Sequence, residues 1–121
     1  MILGHLYVIH TTLTNPPKDK LVICVCAAVP LFIWINTDAR KHGIAQMPLV
    51  AADHPQALTH NCHLDCSRVT TFRAPELAAA QDRGLISADL AERIAEFITA
   101  QKPKTLTPGQ TQTVLTNLAL I

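Results

Sequence analysis

Glycine, aromatic residues and charge are all scarce in this sequence of 121 residues. The four glycines do not cluster, so the chain has no glycine-rich phosphate loop, and the G-x-S-x-G nucleophile motif does not occur. Charged residues make up 16% of the chain and the net charge is +1. This excludes the strongly basic footprint typical of many nucleic-acid-binding domains, but it leaves room for a local basic patch.

The longest apolar run covers residues 21–35 and is too short to cross a membrane as a helix, which takes about 20 apolar residues. Pro30 interrupts the run, and most of its residues favour strands. We therefore predict two central strands, residues 21–28 and 31–37, joined by a tight connection. An unbroken apolar strand indicates that both of its faces are covered.

The N-terminus lacks the basic segment and the cleavage site of a signal peptide, which predicts a cytoplasmic protein. In that compartment the four cysteines are expected to be thiols or metal ligands rather than disulfides. With 49% hydrophobic residues the chain has the composition of a globular protein, and its length predicts one domain, residues 1–121.

The domain divides into a β-rich part and a helical part, which predicts an α+β fold. Residues 1–72 alternate short apolar runs with turns, including a polar connection at residues 38–46, as in a small barrel or a bent, mostly antiparallel sheet. Residues 73–121 are predicted to be a helical extension packed on the barrel. Pro75 and Gly84 bracket a first helix, Ser87 caps a second, and Thr107 begins the capping box of a third.

Cysteine and histidine residues offer a possible metal site. Their spacing matches no strong zinc motif, and the two cysteines in the apolar run are better explained as small hydrophobic residues. Structural zinc stays open as an alternative, since zinc is bound by four such ligands. The candidate ligands are Cys24, Cys26, His60, Cys62, His63 and Cys66.

A polar row is expected on one face of the last predicted strand. If Cys62 and Cys66 point inward, His63, Asp65 and Ser67 point the other way. Such a row is either a solvated face or a set of hydrogen-bonding groups that face a ligand. A histidine and an aspartate two residues apart could cooperate in proton transfer.

A second group of polar residues flanks the central strands. Antiparallel pairing across a tight turn places Leu21 within one or two residues of Thr37. Lys18 and Lys20, which precede Leu21, are then expected at the same end of the sheet as Thr37.

The layout of residues 4–72 resembles the MazF/PemK-like toxins. Gly4 precedes the strand "HLYVIH", the loop and strand "NPPKDKLVICVC" follow, "LFIWINT" ends in Thr37, and "CHLDCSRVTTF" matches the late strand. Asn15 stands before the proline where the family usually has an arginine.

The resemblance implies an SH3-like barrel and an endoribonuclease of a toxin–antitoxin system that cleaves single-stranded RNA. It implies no cofactor, a cognate antitoxin as partner, and a homodimer as one possible state. The implied catalytic residues are Thr37, Lys20, His63 and Asp65, and the implied RNA-binding residues are Lys18, Lys20 and Arg68.

Two other functions stay open at this point. A non-catalytic SH3-like module that binds a protein partner fits the near-neutral charge and the missing arginine. A small zinc-binding domain is the third hypothesis.

Overall fold

The computed structural model describes residues 1–39, 45–55 and 57–121. Short segments whose side chains alternate between the two faces form a sheet of six antiparallel strands. The sheet order is β4-β5-β3-β2-β1-β6. The strands are β1 (His5–Thr11), β2 (Lys18–Cys26), β3 (Leu31–Asn36), β4 (Gln46–Leu49), β5 (Cys62–Thr70) and β6 (Gln81–Leu85).

The apolar run forms the hairpin of β2 and β3 at the centre of the sheet, as predicted. Leu21 is opposite Ile35, and Cys24 is opposite Phe32. Val22, Ile23, Phe32 and Ile33 alternate between the two faces, and all of them are buried. Because both faces are covered, the two strands carry apolar residues without interruption.

Three helices follow or interrupt the later strands: α1 (Ala74–Ala78), α2 (Ala88–Gln101) and α3 (Pro108–Leu118). The Ser87 hydroxyl accepts a hydrogen bond from the Leu90 backbone N–H at the start of α2. Thr107 and Gln110 form the predicted capping box at the start of α3. Among the described residues, no helix has the length and hydrophobicity needed to span a membrane.

The main hydrophobic core lies between one face of the sheet and the helices α2 and α3. Ile23, Ile33 and Leu64 from the sheet belong to the same buried cluster as Ile94 of α2 and Val114 of α3. The prediction that C-terminal helices cover one side of the sheet is therefore confirmed for α2 and α3.

An aromatic cluster covers part of the opposite face. Phe32 and Phe72 meet edge to face with ring centroids 5.3 Å apart, and Trp34 stacks on Phe72 at 6.2 Å. Leu77 of α1 packs against this cluster. The aromatic side chains cover the part of this face that lies next to α1. Polar side chains occupy the rest of the face, beyond the end of the cluster.

The predicted first helix is wrong over most of its length. α1 ends at Ala78, and residues 81–85 form β6, which pairs with β1. Asp82 fastens this strand by accepting hydrogen bonds from the Gly84 N–H and from the His5 imidazole, and these two bonds lower the pKa of Asp82. The helical extension predicted for residues 73–121 therefore contributes an edge strand as well as helices.

The predicted barrel is also wrong, because the sheet stays open. Closure would require the two end strands of the sheet, β4 and β6, to pair with each other, but in the described residues β4 pairs with β5 and β6 pairs with β1. The strands β4 and β6 are thus the two edges of the sheet in the described part of the chain. The α+β class holds. Of the predicted connection at residues 38–46, residues 40–44 lie outside the described residues.

The contact between α2 and the sheet can be tested at Ile94, which is completely buried. We expect Ile94→Ala to lower the free energy of unfolding by about 2 to 5 kcal/mol, because a cavity is left against the sheet. Urea unfolding followed by circular dichroism measures this loss. Glu92→Ala on the exposed side of α2 is the control and is expected to change stability by less than about 0.5 kcal/mol. Equal effects of the two changes would contradict the assigned packing.

The Glu76 carboxylate gives a pH-dependent test of how α1 is attached. Burial raises its pKa, but hydrogen bonds donated by the Thr11 hydroxyl and the backbone N–H groups of Arg73 and Thr12 outweigh burial and lower the pKa below the ordinary value. A lowered pKa in the folded state stabilises the fold above the unfolded pKa, and this stabilisation is lost as pH falls through the folded pKa.

We therefore expect Glu76→Gln to destabilise the protein at pH 7 by about 1 to 3 kcal/mol. The melting temperatures of the variant and of wild type should converge as the pH is lowered below 4. A difference that stays constant with pH would show that the charge of Glu76 has no part in the stabilisation.

Candidate functional site

Polar side chains gather at one end of the aromatic face, where β2, β3 and β5 lie side by side. The Lys20 ammonium on β2 donates a hydrogen bond of 2.6 Å to the Asn36 side-chain oxygen on β3. Asn36 is in turn opposite His63 on β5, and Trp34 is opposite Asp65. The register of three strands thus brings residues that are far apart in sequence into one block.

Trp34 separates this polar block from the aromatic cluster. One side of its ring system meets Phe72, while the Lys20 ammonium lies 5.3 Å and the Arg68 guanidinium 5.2 Å from its ring centroid. Both distances are within the range of a cation–π interaction, and such an interaction is stronger when the groups are desolvated. Lys20 is itself buried, with 8% of its surface exposed.

Asp65 lies beneath this arrangement and is completely buried. One of its carboxylate oxygens accepts hydrogen bonds from the Gln46 side chain at 2.8 Å and from the Ser67 backbone N–H at 3.0 Å, and also from the Ser67 hydroxyl. The other oxygen lies 3.6 Å from the Arg68 Nε atom. Asp65 therefore holds the β5 backbone and draws Arg68 toward Trp34.

Two cavities open at this end of the sheet. The first, which we call the Trp34 cavity, has a volume of about 370 Å³. It is lined by Thr14, Lys18, Lys20, Trp34, Asn36, Thr37, Asp38 and Arg68. The second, which we call the His60 cavity, has a volume of about 290 Å³, and its lining shares Lys18, Lys20 and Thr37 with the first. The two cavities are thus neighbours, and together we call them the polar groove, although the His60 cavity also has apolar walls at Leu21, Ile35 and Leu58.

Thr37 and His60 connect the two cavities chemically. The Thr37 hydroxyl and the His60 Nε2 atom are hydrogen bonded at 3.2 Å, and His60 Nδ1 lies 3.1 Å from the Thr59 hydroxyl. Both Thr37 and His60 are exposed. An exposed imidazole beside a hydroxyl is placed to exchange a proton with a bound molecule.

The structure brings together several of the residues that the sequence singled out. Lys18, Lys20 and Thr37 lie at the same end of the sheet, as the antiparallel hairpin predicted, and Arg68 joins them from β5. Lys20 is buried, and its ammonium is hydrogen bonded to the Asn36 side chain.

Asp65 and His63, two of the predicted catalytic residues, are less exposed than Thr37 and His60. Asp65 is completely buried, is hydrogen bonded to its own strand and to β4, and lines neither cavity. His63 is half-buried, and no hydrogen bond joins it to Asp65 among the described residues. Buried side chains of the polar row thus support the site, and the exposed His60 is better placed for proton transfer.

Trp34 and Asn36 are the site residues that sequence reasoning missed. The alternation of β3 puts both on the same face as Phe32, and the hairpin register puts Asn36 beside Lys20. The alternation of β3 can be read from the sequence. It identifies Trp34 and Asn36 as site residues only when the pairing of β3 with β5 is known.

The cysteines do not gather into a metal site. All four are buried and free. Cys24 belongs to the aromatic face, whereas Cys62 and Cys66 belong to the helix-covered core. Among the described residues, no group of three or more histidine, cysteine or acidic side chains is arranged to hold a metal ion.

Comparison with known proteins finds no matching family model, no matching curated protein and no matching solved structure. The geometry of the polar groove is therefore the basis for a functional assignment.

The burial of the cysteines predicts that they are chemically inert in the native protein. Burial raises the pKa values of Cys24 and Cys62, and burial together with the Asp65 charge raises the pKa of Cys66 to about 12. Because the thiolate is the reactive form, Ellman's reagent should react slowly with native protein and fully after denaturation. Elemental analysis that finds bound zinc, lost on Cys62→Ser, would instead support the zinc hypothesis.

Proposed function

We propose that this protein is a toxin-like endoribonuclease that binds single-stranded RNA along the polar groove and cleaves it there. The observation that carries the proposal is the convergence of Lys18, Lys20, Thr37 and Arg68 around one cavity. Three cations at one end of the sheet make the local basic patch that the net charge of +1 leaves room for. Positive side chains of this kind neutralise the phosphates of a nucleic acid.

The proposed reaction is attack of a ribose 2′-oxygen on the adjacent phosphorus. A P–O2′ bond forms, the P–O5′ bond breaks, and the proton of the 2′-hydroxyl passes to a base while the leaving 5′-oxygen receives a proton. Lys18 and Arg68 offset the charge that develops on the phosphorane, and the Thr37 hydroxyl donates a hydrogen bond to a phosphate oxygen. His60 is the group we assign to proton transfer, because it is exposed and hydrogen bonded to Thr37.

The MazF/PemK-like toxins usually carry an arginine before the loop proline. In this proposal, a guanidinium from another strand takes its role. Asn15 takes the loop position, while Arg68 on β5 lies beside the same cavity as Lys20. A guanidinium suits a phosphate because its planar fork of donors matches two phosphate oxygens. The resemblance to this family also implies that the partner is a cognate antitoxin protein.

Cleavage of a short, end-labelled single-stranded RNA by the purified protein tests the proposal. DNA of the same sequence and 2′-O-methyl RNA are expected to stay intact, since both lack the attacking hydroxyl. We expect Thr37→Ala and His60→Gln each to slow cleavage by about a hundredfold, in the usual range for one proton-transfer or oxyanion-stabilising group. Both side chains are exposed, so thermal melts should stay near that of wild type.

Binding is measured separately from cleavage by fluorescence anisotropy on the 2′-O-methyl RNA. We expect Lys18→Ala to weaken binding and to reduce the slope of log K against log salt by about 0.7, the loss of one phosphate contact to a single strand. Arg93→Ala is the matched control, because Arg93 is an exposed cation on α2, away from the groove.

Three outcomes are distinguished. Cleavage that depends on Thr37 and His60 supports the endoribonuclease. Salt-dependent binding without cleavage would reject the catalytic part and favour a non-catalytic RNA-binding module. Protein that neither binds nor cleaves RNA and does not arrest growth on induced expression would reject the proposal, leaving a module that binds a protein partner.

A further inference from the structure

Two buried hydrogen-bond donors at the Trp34 cavity have no acceptor among the described residues. They are the indole Nε1 of Trp34 and the side-chain amide Nδ2 of Asn36. Trp34 is 8% exposed, and Asn36 is half-buried. A buried donor without an acceptor destabilises a fold, so two such donors in one place need a physical explanation.

The orientation of the Asn36 amide is determined by its neighbour. An ammonium only donates, so the Asn36 oxygen must face Lys20, at 2.6 Å, and the amide NH₂ must point away from it. The contact with Lys20 therefore determines which end of the Asn36 amide is the oxygen and which is the NH₂ donor. Lys20 stabilises an arrangement in which Asn36 presents a donor at the cavity wall.

The charges around these donors have one dominant sign. Lys20 and Arg68 both lie over the Trp34 ring, and Lys18 lines the same cavity. Asp65 of β5 is opposite Trp34, and its carboxylate is engaged with Gln46, Ser67 and Arg68. The exposed carboxylate of Asp38 is the only acidic side chain among the described residues that line the cavity.

Arg68 is the movable cation beside these donors, with its guanidinium 5.2 Å from the Trp34 ring centroid. Its side chain is 44% exposed and lies 3.6 Å from the Asp65 carboxylate, so it can turn outward without crossing a packed core. An arriving anion would then meet the indole N–H, the amide NH₂ and two cationic groups. The donors are fixed on β3, whereas the guanidinium is adjustable.

We propose that the Trp34 cavity is a binding site for a phosphate group, held by Trp34 Nε1, Asn36 Nδ2, Lys20 and Arg68. A phosphate has several acceptor oxygens and no need for an acceptor in return, which matches a wall that consists mainly of donors. The phosphate belongs either to a free ion or to a nucleic-acid chain. The inference rests on the proposed function only for that second source, and binding of the free ion tests it independently.

Trp34 is the only tryptophan of the chain, so its fluorescence reports on the cavity directly. Sodium phosphate is titrated into the full-length protein at constant ionic strength, with chloride as the balancing ion, and isothermal titration calorimetry provides a second readout. We expect a saturable fluorescence change with phosphate and none with chloride. A linear response that is equal for both salts would overturn the site.

Asn36→Asp is the sharpest variant, because it keeps the oxygen that accepts from Lys20 and replaces the donor by a second acceptor. We expect it to weaken phosphate binding by more than about tenfold, through loss of a donor and like-charge repulsion. Arg68→Gln is expected to weaken binding by about tenfold. Arg93→Gln on α2 is the matched control and should bind phosphate as wild type does.

Asp38→Asn is expected to change phosphate binding in the opposite direction. It removes the exposed carboxylate from the cavity lining, so phosphate should bind a few-fold more tightly. Trp34→Phe keeps an aromatic ring but removes the N–H, and calorimetry should show weaker binding. If Asn36→Asp fails to fold, Arg68→Gln and Asp38→Asn still decide the matter, since their side chains are exposed. Affinities unchanged in both would overturn the proposal.

The two proposals fail separately. Phosphate binding that depends on Asn36 and Arg68, together with no binding of 2′-O-methyl RNA, would retain this site and reject RNA as its ligand. RNA binding that depends on Lys18 but is unaffected by Asn36→Asp would retain the proposed function and reject the phosphate site at Trp34.

Discussion

The antiparallel pairing of β2 with β3 is the constraint on which both the core and the candidate site depend. Leu21 faces Ile35, so the residues of each strand are divided between the helix-covered face and the aromatic face. A slip of one residue would exchange the two sets of side chains. Lys20 and Asn36 would then no longer meet, and Ile33 would leave the core it shares with α2.

The polar block is costly to bury, and its organisation reflects that cost. Lys20 and Asp65 are both shielded from water, and each is compensated by hydrogen bonds within the sheet. Trp34 lies between them and the phenylalanines, and the cationic groups of Lys20 and Arg68 lie over its ring system. Two donors nevertheless stay without acceptors, which is the kind of local conflict that is expected where a structure is prepared for a ligand.

The predictions from sequence were accurate where burial produces a regular pattern. The strands β1, β2 and β3 and the helices α2 and α3 follow from apolar periodicity and caps such as Ser87. β6 was missed because "QDRGL" is an edge strand with mostly exposed side chains, and no alternation distinguishes it from a helix end. Pairing with β1 and the hydrogen bond between His5 and Asp82 decide its structure, and both involve residues more than 70 positions away.

Local sequence determined most of the strands and helices of this protein, with β6 as an exception, and it indicated the burial of the cysteines. It also determined that Lys18, Lys20 and Thr37 meet, because one tight hairpin connects them. Only the tertiary structure decided that the sheet is open, that Asp65 is a buried support and that Arg68 reaches Trp34. The physical reason is the pairing of β5 with β3. That contact joins residues about 30 positions apart, and no pattern within either strand specifies which polar groups it brings together.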